Sequence, residues 1–327
     1  MSAFRLGRRS FFAAPLAAAL CKPARSLASD DDFATFLAGV ARDAVAQGIR
    51  ANTADYALRS AQYLPHVIEL DRQQPEHTTT LEAFLQKVVT PQKIADGRAR
   101  LSENWPLLTR VYQRFRVQPR FVVALWAVES DFGKVMGNYS VLSSLATLAY
   151  DGRRSTFFRP ELIAALRIID EGNVKPEAML GSWAGAMGQC QFMPTTFLNF
   201  AVDFDGEGRR DIWSDRADVL GSIANYIAQL GWRSDQGWGR SVTVPPDFDT
   251  RMIGLDIHRP TADWSRMGVR STDAAALPPT EASLVMPDGS GGPALLVYDN
   301  FRTIMKWNKS TYFAASVGML ADSFGAG

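Results

Sequence analysis

The stretch Arg120-Phe121-Val122-Val123-Ala124-Leu125-Trp126-Ala127-Val128-Glu129-Ser130-Asp131-Phe132-Gly133 sets one carboxylate, Glu129, deep in an apolar run. Pro119 stands just before it, where the first turn of a helix tolerates proline. Gly133 follows it, where helices commonly stop. The spacing therefore predicts a helix over 120–132. On that helix Val122, Leu125, Trp126 and Phe132 share a face with Glu129. A carboxylate among aliphatic and aromatic groups is poorly solvated when ionised, so its pKa should rise. An acid that keeps its proton near neutral pH can protonate a leaving group. Glycosidic cleavage needs such a group, because the departing sugar oxygen leaves poorly until it is protonated. A buried Glu satisfied by a helix cap or an arginine fits the same spacing, so the pattern alone does not identify an enzyme. Asp131, two residues on, would lie across the helix from Glu129 and is an unsuitable partner acid.

Outward from this segment, apolar residues recur at helical spacing through most of the chain. Helices are expected over 32–47, 53–62, 81–88, 103–116, 142–149, 161–171, 223–229 and 312–324, with another opening at Pro194. A glycine-rich polar loop, 181–191, precedes Pro194. After Trp232 the texture changes to proline, glycine and short β-prone runs such as 241–244 and 294–298, which reads as a small β-rich subdomain. The expected class is α+β, mainly α.

The chain has 327 residues, with 46% hydrophobic and 21% charged, the balance of an ordinary globular protein. Residues 1–28 carry five basic side chains (Arg5, Arg8, Arg9, Lys22, Arg25) and no acids. Of 35 basic and 34 acidic residues, 30 and 34 therefore remain beyond this leader, a net of −4. That balance gives no footprint for nucleic acid. Gly7-Arg8-Arg9-Ser10-Phe11-Phe12 is similar to the twin-arginine export motif, and Ser26-Leu27-Ala28 offers a cleavage site. The expected compartment is the bacterial periplasm. Leu20 before Cys21 is too large for a convincing lipoprotein signal. The only other cysteine is Cys190, so the mature chain is expected to hold one thiol, read as a packing residue. His66, His77 and His258 show no metal-ligand spacing.

The segments 126–133, 145–158 (with Arg153-Arg154), Gly181-Ser182-Trp183-Ala184-Gly185-Ala186-Met187-Gly188-Gln189-Cys190-Gln191-Phe192-Met193-Pro194 and Ala224-Asn225-Tyr226 resemble the lytic murein transglycosylases of the B type, glycoside hydrolase family 103. The likeness runs over about 33–320, with the motifs in the expected order. It implies a lysozyme-like core at 111–237, an N-terminal helical region at 29–110, the β-rich subdomain at 238–299, and a C-terminal segment, 300–327, returning to the cleft. It also implies a carbon–oxygen lyase that cuts the β-1,4 bond between N-acetylmuramic acid and N-acetylglucosamine in peptidoglycan without water. The product would be a 1,6-anhydro sugar, with Glu129 acting first as acid and then as base.

Other roles are implied one position at a time. Ser182 and Gln191 match residues lining the cleft beside the acid. Tyr226 matches a tyrosine that holds the acid or an acetamido group. Arg153 and Arg154 match an arginine pair suited to lactyl and peptide carboxylates. Their bland alternatives are a turn residue, a loop-bracing amide, a core aromatic and a solvated basic turn. The stretch Asn300-Phe301, followed by Trp307-Asn308-Lys309-Ser310-Thr311-Tyr312-Phe313, also resembles the family, and Trp307, Asn308 and Phe313 are expected at the substrate. The family carries tyrosine where this chain has Phe313, so a cleft hydroxyl is expected to be missing. Tyr312 would point about 100° away.

Asp203-Phe204-Asp205-Gly206-Glu207-Gly208-Arg209 opens like a calcium-binding loop, with acids at alternate positions and glycine at the sixth. Asp203, Asp205, Glu207, Asp218 and the Arg209 carbonyl are the candidate ligands, with a structural role. A solvated acidic turn is the alternative. No cofactor is expected for the chemistry. Expected partners are peptidoglycan glycan strands, with cell-wall-synthesis or division proteins as further candidates, and the protein is expected to be a monomer. The competing functions are a hydrolytic muramidase on the same scaffold and a non-catalytic peptidoglycan-binding protein.

Overall fold

The computed structural model describes residues 30–73 and 79–325. The leader, Cys21 and His77 lie outside the described residues. The N-terminal helices are α1 (Asp30–Ala46), α2 (Ala51–Arg59), α3 (Pro65–Arg72), α4 (Leu81–Val88), α5 (Pro91–Glu103) and α6 (Trp105–Phe115). Then come α7 (Pro119–Ser130), β1 (Tyr139–Ser140), α8 (Val141–Tyr150), α9 (Ser155–Asp170), β2 (Leu180–Gly181), α10 (Pro194–Phe200) and α11 (Arg216–Gln229). The β-rich part follows as β3 (Gly239–Thr243), β4 (Arg259–Pro260), α12 (Thr261–Arg266), β5 (Arg270–Ser271), β6 (Glu281–Val285) and β7 (Ala294–Val297). Helices α13 (Asp299–Trp307) and α14 (Thr311–Phe324) close the chain.

Helix α7 is the axis of the larger core. Every residue from Phe121 to Ala127 is fully buried, and α5, α6, α11 and α14 pack around it. The helix stops at Ser130, two residues earlier than its spacing predicts. Asp131 and Phe132 both turn left-handed, at φ 49° and 60°. Phe132 is therefore off the helix and does not share its face with Glu129. Its ring instead closes edge-on against Trp126, centroids 5.5 Å apart. Asp131 turns to Lys93 at 3.4 Å and Lys134 at 3.5 Å.

Helix α9 starts six residues before the expected Glu161 and carries Pro160 inside it. Proline costs one backbone bond there. Burial of Phe158, Leu162 and Leu166 on the same helix outweighs it.

Five strands form an antiparallel sheet in the order β4-β6-β7-β3-β5. Strand β7 is buried on both faces. The two-residue alternation of a strand sends Leu295 and Val297 into the larger core. Ala294 and Leu296 go into a smaller core with Val242, Trp264 and Leu284. Helix α14 returns against α7, and Gly318 on it lies where a Cβ would meet the Trp238 ring at 2.1 Å. This return delivers the end of α13 to the end of α7. No helix among the described residues is long and apolar enough to cross a membrane.

Candidate active site

Glu129 is the penultimate residue of α7. Its side chain is half-buried, and burial pushes its carboxyl up to about 8. One hydrogen bond works in the opposite direction: the Trp307 indole Nε1–H donates to Glu129 Oε1 at 2.6 Å. The two residues are 178 positions apart in sequence. Around the indole stand Tyr226, with centroids 4.7 Å apart, and Phe192, at 5.4 Å. Phe200 stacks behind Tyr226 at 4.3 Å. Burial, opposed by the Thr196 side chain and reinforced by Glu129, holds the Tyr226 hydroxyl above its usual value. The Cys190 thiol is buried nearby and held well up by burial and by the charges of Glu129 and Asp218.

The glycine-rich loop before α10 is fastened to α7 at several points. Trp126 Nε1–H donates to Gln189 Oε1 at 2.9 Å. Ser130 Oγ donates to the Gln189 carbonyl at 2.7 Å. Gln189 Nε2 reaches the Trp213 carbonyl at 2.8 Å. The 134–137 loop crosses beside it so closely that a Cβ on Gly137, at φ +86°, would lie 2.1 Å from the Gly181 carbonyl oxygen. Ser130 and Gln189 are functional supports that the sequence reading passed over. Only their position within the matched segments marks them.

The expected substrate residues fall into three groups. Tyr226 and Trp307 meet at Glu129, as described. Ser182 and Gln191 sit in the pinned loop, and their side chains brace it. Ser182 Oγ accepts from Ala184 and Ala186 N–H at 3.3 and 3.0 Å. Gln191 Nε2 donates to the Met136 and Gly188 carbonyls at 3.0 and 2.8 Å, so any ligand contact must use its Oε1. Arg153 and Arg154 lie in the α8–α9 turn and share Asp71. Asp71 is buried, at 3% exposure, and Arg154 also lies over the Phe158 ring at 4.9 Å. The structure shows no contact between this pair and Glu129. Asn308 is exposed at the end of α13, and Phe313 is buried in the first turn of α14. Tyr312 turns to Asp288 and packs on Phe84 at 5.6 Å.

In the acidic loop, one carboxylate oxygen each from Asp203, Asp205 and Asp218 lie within 4.8 Å of one another. Asp205, Glu207 and Asp215 form a second such group. Asp215 was not among the expected ligands; it caps α11 by accepting from Ala217 and Asp218 N–H. Arg209 directs its guanidinium to Asp211 at 3.1 Å. Asp218 is 2% exposed. Burial and the charges of Asp215 and Asp205 push it up to about 6, against backbone N–H bonds from Asp211 and Phe204. Clustered hard oxygens with a carboxyl strained toward protonation suit a calcium-sized divalent cation.

A family model described as Transglycosylase SLT domain matches residues 32–322. Membrane-bound lytic murein transglycosylase B of Escherichia coli (strain K12) is 32% identical over 254 residues, 73% of this chain and 66% of that protein. The chain thus spans just under two thirds of that relative. The crystal structure of SltB3 from Pseudomonas aeruginosa in complex with NAG-anhNAM-pentapeptide superposes with a TM-score of 0.87 at 45% identity, covering 90% of this chain and 80% of that one. The E. coli lytic transglycosylase Slt35 in complex with calcium superposes with a TM-score of 0.74 at 28% identity, covering 89% and 92%. The architecture is accordingly the mainly helical, lysozyme-like fold of lytic transglycosylases, with a small antiparallel sheet. Over residues 32–322, and so over nearly all of its described length, this chain belongs to the Transglycosylase SLT domain family.

Proposed function

We propose that the protein is a lytic transglycosylase that cleaves the β-1,4 bond between N-acetylmuramic acid and N-acetylglucosamine in peptidoglycan and leaves a 1,6-anhydro end. The observation that carries this reading is a lone carboxyl held near 8 by burial. Below that pH Glu129 carries a proton it can give to the bridging oxygen as the C1–O bond breaks. The resulting carboxylate then takes the proton of the muramoyl 6-hydroxyl while O6 bonds to C1, and Glu129 is restored. Two-carboxylate glycosidases set their acids about 5–10 Å apart. Here burial and the Trp307 bond account for the shift of Glu129, and no neighbouring acid contributes to it. Asp131 is tied up with two lysines. A nucleophile supplied by the substrate removes the need for a second acid.

The half-buried rings of Tyr226 and Trp307, backed by the buried Phe192, suit the apolar faces of sugar rings. SltB3 binds NAG-anhNAM-pentapeptide and NAG-NAM-pentapeptide, which supports the same substrate class here. Calcium in Slt35 supports a structural calcium held by Asp203, Asp205 and Asp218. That ion would neutralise the acidic loop and take no part in the proton transfers. Peptidoglycan lies outside the cytoplasm, and the twin-arginine-like leader would supply export.

The test is digestion of purified sacculi, with mass spectrometry of the products and Glu129→Gln in parallel. Anhydro ends, one water lighter than reducing ends, and a Gln variant that binds without turnover are expected. Reducing ends would make it a muramidase. Turnover near wild type in Glu129→Gln would remove Glu129 from the chemistry.

A further inference from the structure

The single hydrogen bond between Trp307 and Glu129 has an asymmetry that a hydroxyl partner would lack. An indole N–H is a donor only. Glu129 Oε1 must therefore be an acceptor in both charge states of the acid. Among the described residues no hydrogen bond reaches Oε2, and the side chain is only half-buried. The indole cannot swing away easily. Tyr226 and Phe192 pack against it. Trp307 ends α13, whose start is anchored by the fully buried Asn300, bonded to the Arg233 N–H and to the Arg233 and Gln236 carbonyls.

We infer that Trp307 is a positioning residue that confines the proton of Glu129 to Oε2, the oxygen the indole does not engage, so that the acid is aimed before substrate arrives. The same bond becomes charge-assisted when Glu129 ionises and so holds the carboxylate still for the return proton.

The other ionisable groups around Glu129 do not compete for this role. Burial keeps Cys190 and Tyr226 neutral across the working range. On α5, Lys93 is engaged by Asp131 and the Ala127 carbonyl. On α11, Arg216 lies over the Trp126 ring at 4.5 Å. On α14, Asp322 faces Arg120 at the far end of α7.

The kinetic consequences rest on the transglycosylase reading, but the bond itself can be followed without turnover. In ¹⁵N-labelled protein the Trp307 indole N–H resonance, assigned by its loss in Trp307→Tyr, should titrate with Glu129 near pH 8 and move downfield as the acid ionises. In Glu129→Gln it should stay flat. With sacculi, Trp307→Phe should lower kcat about tenfold with KM nearly unchanged, and move the alkaline limb of the pH profile up by about one pH unit, the effect of losing one hydrogen bond to a charged group. Trp307→Tyr restores a donor but one that can also accept. It should recover the position of the limb and only part of kcat.

An indole resonance that ignores pH would overturn the inference, as would a folded Trp307→Phe with wild-type kcat and limb. Should Trp307→Phe not fold, the wild-type titration decides alone. Wild-type protein inert on sacculi but with a titrating indole would defeat the function and leave this inference standing.

Discussion

A proton held on a buried acid is also a statement about stability, and Glu129 makes it testable without substrate. Its carboxyl rises from 4.5 to about 8 on folding. Below pH 4.5 both states are protonated and folding meets no penalty from this group. Between 4.5 and 8 the unfolded chain releases the proton while the folded chain keeps it, so stability falls as pH rises. The slope is about 1.4 kcal/mol per pH unit. From pH 4.5 to 7 that amounts to about 3 kcal/mol, which we reduce to about 2 kcal/mol because the side chain is only half-buried. Glu129→Gln keeps the shape and the acceptor for Trp307 and removes the titration. The variant should therefore be more stable than wild type at pH 7. For a domain of this length the unfolding entropy is about 0.6 kcal/mol per degree, so Tm should rise by about 3 °C. Calorimetry of both proteins from pH 5 to pH 8 reads the effect directly. A gap that closes toward pH 5 and widens toward pH 8 is expected. A gap that does not change with pH, or a variant less stable throughout, would refute the desolvation argument.

Activity on sacculi should fall as pH rises through about 8, where Glu129 loses its proton; a pH–rate profile still climbing at pH 9 would contradict this. Calcium should raise Tm by a few degrees through binding to the folded state, and Asp218→Asn should abolish the rise; a calorimetric titration that moves nothing removes the ion from the acidic loop. Gly137→Ala forces a Cβ against the Gly181 carbonyl at a left-handed φ and should cost at least about 2 kcal/mol, measurable by urea unfolding. Glu161→Ala strips the two bonds to the Thr195 N–H and hydroxyl, at 2.8 and 2.6 Å, and should cost about 2 kcal/mol by the same measurement.

The central acid was legible because its helix is long, apolar and strongly periodic. The end of that helix was not. Gly133 looked like the terminator, yet tertiary contacts turn Asp131 and Phe132 left-handed first: Lys93 and Lys134 draw Asp131 outward, and Trp126 takes the Phe132 ring. Helix α3 was missed because it is short, and α5, although 13 residues long, because it is polar along much of its length. Their few buried residues, such as Val67 and Leu101, matter only once the larger core is assembled. Trp307 was expected at the substrate, but its bond to the acid Glu129 spans 178 residues. No local pattern encodes such a contact, which depends on α14 folding back along α7. The Arg153–Arg154 pair looked available for carboxylates. Asp71, on a helix that periodicity did not reveal, holds both.

The proposal that a substrate hydroxyl replaces water is tested most directly by digesting sacculi in water labelled with heavy oxygen. The account predicts sugar ends that carry no label and close as 1,6-anhydro rings. Label at C1 of the released muramic acid would contradict it.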